Sequence, residues 1–372
     1  MTRRRIVFFA GLIFVACLAE LPVGIVGIDV RSAAAALKTT LPARLADQEF
    51  WKLTLDFSEP DGTFRSDNLL SNEVGLQYVI PELTRTAKSG RVYMGVGPEQ
   101  NFTYSAAVKP KMAFIVDIRR GNLDLHLMYK ALFELSADRA EFVSRLFGKP
   151  RPDGLGPKST AAEIFVAYSS SDSLETLYRE NLKAIQDRLV TAHGFALSPD
   201  DLQGIEYVYH AFYSFGPKLQ YASTGGFGGR NQPTYADLME GTDADGQARA
   251  YLATEERFAF LKDLEGKNLL VPIVGNFAGP KAIRAVSKYL KKKNATVSAF
   301  YLSNVEQYLR QDGIWRDFCG NVATLPLDET STFIRSVRGG LYGGPFGFGL
   351  NSRLGAMAAE MKGCASIPPS RR

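Results

Sequence analysis

At 372 residues, with 45% hydrophobic and 22% charged side chains, the chain has material for a substantial core and for one large or two smaller domains. Its formal charge of +5 is modest, and part of it sits in Arg3, Arg4, Arg5, Arg371 and Arg372, which argues against a nucleic-acid partner. Of the three cysteines, Cys17 falls in an apolar leader; that leaves Cys319 and Cys364 either as one disulfide in an oxidising compartment or as two free thiols.

Arg3-Arg4-Arg5 precede IVFFAGLIFVACLA, residues 6–19, the charged start and apolar middle of a secretory signal. Cleavage after Ala19, or within Ala33–Ala36, fits the small-residue rule. Phe14-Val15-Ala16-Cys17 resembles a lipoprotein box with Phe where Leu is usual, and extension to Ile28 gives a strained span carrying Glu20. Cleaved signal, lipid anchor and uncleaved anchor all place the body across the membrane. Residues 1–36 are therefore expected to be a signal peptide or membrane anchor plus linker. Residues 37–372 are expected as an exported, periplasmic or outward-facing body that meets the membrane only through that segment.

A loose lead-in with one helical turn near Leu45–Leu53 comes next. Ser71-Asn72-Glu73, followed by Leu76, Val79, Ile80 and Leu83, predicts a helix capped by Ser71 and ending near Thr86. Arg91–Val96 and Lys111–Val116 read as buried strands around a helix at Pro98–Ala107, with proline in its first turn. Leu123–Leu146 reads as one long helix. Residues 150–253 read as a mostly helical insertion, clearest at Leu174–Thr191 and Pro199–Tyr213, with glycine-rich 217–250 as a lid outside the core. The α/β rhythm returns with a helix at Thr254–Leu264 and a strand at Asn268–Val274. After it come a helix at Lys281–Lys292, a strand at Thr296–Tyr301 and a helix at Asn304–Gln311. Short strands at Asn321–Leu325 and Thr332–Val337 and a loose tail from Gly339 close the chain. Alternation of this kind predicts an α/β fold, a mainly parallel sheet with helices on both faces, in a single domain with its core at about 70–147 and 254–337.

The unit VYMGVGPEQNFTY…FIVDIRR carries the functional signal. Gly95 lets the backbone turn, Gly97 admits close approach, and the following helix offers free N–H groups. Asp117 comes twenty residues after Gly97, where a carboxylate would accept both ribose hydroxyls of a nucleoside. The arrangement resembles the Rossmann-like, class I S-adenosylmethionine-dependent methyltransferase fold over roughly residues 70–147 and 254–337. That resemblance implies S-adenosylmethionine as cofactor, its methionine part at the Gly95/Gly97 turn with Asn101 in the same turn, and its ribose on Asp117. Asn276, at the exit of the third strand, falls near the reacting group in that pattern; it equally fits a cap for the next helix. Two positions depart from the family pattern: Tyr93 stands where its first acid is usual and Glu99 where its third glycine is, so Glu99 is assigned to the cofactor ammonium. The dehydrogenase variant fails as well, with Gln100 in its third glycine position. The longer string from SNE through these motifs to VPIVGNFAGPKA and FYLSNVEQYL is similar to a family of uncharacterised bacterial proteins, which implies no activity.

Other chemistries are not supported. There is no phosphate-binding GxxxxGK[ST], no HExxH and no GxSxG. His126, His193 and His210 lie in predicted helices without i,i+4 partners, so no metal is expected. Arg119 and Arg120 are read as contacts for a phosphate or carboxylate, or as surface partners of Glu99. Three functions remain: a methyltransferase-like transferase binding a small nucleoside-type ligand, a non-catalytic exported binding or scaffold protein with a degenerate pocket, or an enzyme of another class acting in the same crevice on an acidic or nucleotide-like small molecule near Arg119 and Arg120. Export favours the second, because S-adenosylmethionine is made in the cytoplasm.

Overall fold

The strands are β1 (Val92–Gly95), β2 (Met112–Asp117), β3 (Leu270–Val274), β4 (Val297–Ser303), β5 (Thr332–Arg338) and β6 (Leu350–Ala356). They are seen in a computed structural model that describes residues 39–221, 232–338 and 350–364. One sheet holds them in the order β3-β2-β1-β4-β5-β6, with four parallel pairs and an antiparallel β5–β6. The expected mainly parallel α/β sheet is thus what forms. Strands β1, β2 and β3 are buried at every position, which is why they read as continuous apolar runs rather than alternating ones.

The helices are α1 (Asp47–Phe57), α2 (Ile80–Thr86), α3 (Gln100–Val108), α4 (Arg120–Leu135), α5 (Arg139–Phe147), α6 (Ala161–Ser169) and α7 (Glu175–Gln186). They continue with α8 (Pro199–Phe215), α9 (Tyr235–Glu240), α10 (Glu255–Gly266), α11 (Ala282–Lys292), α12 (Val305–Gln311), α13 (Trp315–Val322) and α14 (Met357–Cys364). Helices α3, α4 and α10 pack together on β1–β3, with α8 against α4; α1 and α11 form a second group, joined by α13 and α14. Phe102 of α3 meets His126, Tyr129 and Phe133 of α4 and Tyr251 at ring separations of 5.0–5.5 Å. Edge-to-face pairs of this kind contribute about 0.5–1.5 kcal/mol each beyond area burial, so they hold the helix after the glycine turn firmly on its neighbour.

Several expectations need correction. Ser71 caps no helix: its Oγ accepts from Glu73 N, and the helix starts only at Ile80, with Pro81 in its first turn. The long helix predicted at Leu123–Leu146 is two, because Asp138 starts a new one by accepting from Glu141 N. Within the predicted lid, Leu219, Tyr235, Met239 and Ala250 are buried in the core. Asn321–Val322 ends helix α13 instead of opening a strand, and the tail contributes β6 and α14. The leader 1–36, the Gly225–Gly229 run and residues 339–349 lie outside the described residues.

Cys319 of α13 and Cys364 of α14 form a disulfide across 45 residues, closing a ring around β5 and β6. In the chain-entropy account a ring of this size restricts the unfolded chain by about 4 kcal/mol. Reduction, or Cys319→Ser, is therefore expected to lower the melting temperature by several degrees, and an unchanged melting curve under reductant would contradict the pairing.

Candidate functional site

All six residues singled out from sequence sit at the carboxyl edge of the sheet. Gly95 lies opposite Ile115 in the β1–β2 register and Asp117 opposite Val274 in β2–β3, so the glycine turn, the carboxylate and Asn276 occupy neighbouring strand exits. The order of strands reverses between β1 and β4, and open α/β sheets bind ligands outside such a reversal.

Here the chain's own side chains fill the turn. Asn101 is fully buried, and its Nδ2 faces the carbonyls of Val96, Gly97 and Pro98 at 3.0, 3.0 and 2.8 Å. Its Oδ1 accepts from Tyr93 Oη at 2.9 Å. A Cβ at position 95 would collide with that Oδ1, so Gly95 makes room for Asn101, whereas Gly97 is required by its φ of +76°. Tyr93, standing where the resembling family has an acid, is one wall of this plug.

Residues 58–73, of which the sequence drew attention only to Ser71-Asn72-Glu73 and then as a helix start, run across the strand exits in spatial order β3, β2, β1, β4. At β3, Glu59 N donates to Val274 O, and the Glu59 carboxylate accepts from the backbone N–H of Asn276, Lys281 and Ala282 at 3.1, 2.8 and 2.8 Å. At β2, Gly62 N donates to Ile118 O, and Asp61 accepts from Arg120 N at 2.6 Å, capping α4. Near β1, Ser71 N donates to both carboxylate oxygens of buried Glu99 at 3.1 and 3.2 Å. At β4, Glu73 accepts from the hydroxyls of Tyr301 and Ser303, and from Ser352 of β6. The strap therefore carries its own carboxylates to the helix N-termini that attract anions in this fold. Its acids in SEPDGTFRSDNLLSNE were the available signal, hidden because no secondary-structure period governs them.

The assigned ligand contacts are engaged in the same way. Asp117 Oδ1 accepts from Arg119 N and Nε at 2.9 and 3.1 Å, and Oδ2 from Arg119 Nη2 at 3.0 Å. Asn276 Oδ1 accepts from Ala278 N at 2.9 Å in a local turn, so it neither faces a ligand nor caps the next helix: α11 begins at Ala282, with Glu59 on its first N–H groups. Arg119 thus pairs with Asp117, and Arg120 with Asp201 at 2.7 Å; neither meets Glu99. His126, given no role from sequence, donates from Nε2 to Gly97 O at 2.9 Å, which leaves Nδ1 as a bare acceptor. Gln100 Oε1 and Asn122 Oδ1 are likewise buried without a protein donor, the kind of atom that an enclosed water satisfies. Among the described residues no group of His, Cys, Asp and Glu converges as metal ligands.

A family model described as "Domain of unknown function (DUF7790)" matches residues 69–193 and 160–349. A search of the curated proteins finds no match.

Burial dominates the electrostatics of the edge. It pushes the Glu99 carboxyl up to about 8 against the Ser71 N–H, with the Glu73 charge adding to the rise, and it raises Glu73 as well. It depresses His126 to about 4, so that imidazole is neutral at pH 7. A carboxyl raised on folding holds a proton that the unfolded chain has released, so its contribution to stability falls as pH climbs from about 5 to about 8. Glu99→Gln keeps an acceptor for Ser71 N and removes this titration. It is expected to stabilise the protein at pH 8, to change little at pH 5, and to flatten the pH profile in denaturant melts; equal effects at both pH values would show that Glu99 is ionised when folded.

Proposed function

We propose, for a chain that belongs to the DUF7790 family of domains of unknown function, a non-catalytic role: it is an exported binding or scaffold protein whose methyltransferase-like crevice is closed by its own strap. The observation that carries this reading is the strap itself, which puts Glu59, Asp61, Ser71 and Glu73 across four strand exits.

The residues at the edge do not fit S-adenosylmethionine. Both oxygens of Asp117 are held by Arg119, in a pair whose side chains are 5% and 11% exposed. Asn101 fills the space beside Gly95. Glu99, assigned to the ammonium, is fully buried and protonated at neutral pH. Opening this site would break a buried ion pair, and leaving one partner of such a pair alone costs about 3–5 kcal/mol. The charged and apolar leader supports export, and so does the Cys319–Cys364 bond, since disulfides persist in oxidising compartments.

A ligand at about a hundred times its Kd stabilises the folded state by about 2.7 kcal/mol, a clear thermal shift. With the oxidised full chain, S-adenosylmethionine, its demethylated product and nicotinamide nucleotides are each expected to leave the melting temperature unchanged. A shift with any of them that disappears in Asp117→Ala would overturn the closed-crevice reading in favour of nucleoside binding.

A further inference from the structure

Away from the carboxyl-edge strap, a second cleft of about 340 Å³ lies over the β5–β6 pair, lined by Glu306, Arg310, Trp315, Arg335, Val337, Arg353, Leu354 and Glu360. Its size falls at the small end of ligand clefts, about 300–1,000 Å³. Arg335 and Arg353 stand directly opposite each other on the two strands, a like-charge pairing that is unfavourable unless offset. Only Arg335 is offset: Nε and Nη2 donate to Glu306 at 2.6 and 3.1 Å, and Nη1 and Nη2 to Glu360 at 3.0 and 2.6 Å. Both acids of the cleft are thereby engaged.

Two cations remain. Arg353 is exposed and meets no carboxylate among the described residues. Arg310, likewise without an acid among them, lies flat on Trp315, its Cζ 3.7 Å from the ring centroid. Stacking uses the face of a guanidinium and leaves its in-plane N–H groups free for a two-pronged bond to a carboxylate or phosphate. Beside these donors the cleft offers an apolar surface, with Val337 38% exposed. The walls are tied covalently. Trp315 lies one helical turn before Cys319, Glu360 one turn before Cys364, and the disulfide joins the two helices. A cleft held this way loses little freedom on binding.

We propose that this cleft is a binding site for a small anion attached to a planar apolar group, an aryl phosphate or aryl carboxylate. The anionic end lies on the free N–H edges of Arg310 and Arg353, and the apolar body rests over Val337, which shares the Arg335/Arg353 face of the β5–β6 pair. Calorimetric titration of the oxidised full chain with phenyl phosphate, benzoate and inorganic phosphate tests it. Saturable binding of phenyl phosphate or benzoate, about tenfold or more tighter than inorganic phosphate, is expected. Arg353→Gln and Arg310→Gln should each weaken it about tenfold with the melting temperature retained, and reduction of the disulfide should weaken it too. The proposal is overturned if neither aryl anion binds, if inorganic phosphate binds as tightly as both, or if Arg353→Gln leaves the affinity unchanged in a folded protein.

Discussion

The constraint on which the rest of the structure depends is the need to satisfy the carboxyl edge of a parallel sheet. Strands β1 to β4 each deliver the chain toward a helix N-terminus, with unpaired N–H groups and partial positive charge. In ligand-binding relatives of the fold type, an anionic or polar ligand answers that charge. In this protein the side chains of 58–73 answer it instead: Glu59 on α11 and Asp61 on α4, with Glu73 among the hydroxyls around β4 and β6. The edge is thus complete from within. The buried carboxyls at Glu73 and Glu99 follow from this, because closing the edge removes them from water and drives them toward the neutral form.

The fold was legible in the sequence because parallel strands buried on both faces leave a simple mark. MAFIV and LVPIV are unbroken apolar runs, and the lengths between them require helical crossovers. The antiparallel β6 was not legible: LNSRLGA is an edge strand without a strong apolar face, and it follows a glycine-rich stretch that reads as loop. The break between α4 and α5 was missed for a different reason. Leucines and aromatics keep helical spacing on both sides of Asp138, so periodicity alone hides a stop that only its side-chain cap reveals.

The candidate site was half legible. Sequence spacing put Gly95, Gly97 and Asp117 at one edge, and in the sheet Gly95 lies opposite Ile115, two residues before Asp117. What spacing could not convey is which atoms answer one another across that edge. Asp117 followed by Arg119 looks like a ribose acid beside a phosphate cation, yet two residues apart the guanidinium folds back onto the carboxylate. Asn101 looks like an ordinary first-turn residue, and its side chain is the plug. Long-range partners such as Ser71 with Glu99 lie 28 residues apart with no pattern connecting them.

The bond between Cys319 and Cys364 also has a consequence for the order of events during biosynthesis. Its second sulfur belongs to the last helix described, so the bond cannot form until every strand of the sheet has been made. Oxidation is thus a late latch: once α13 and α14 are joined, β5 and β6 lie in one closed loop, and a strand that has come undone stays within reach of its partner.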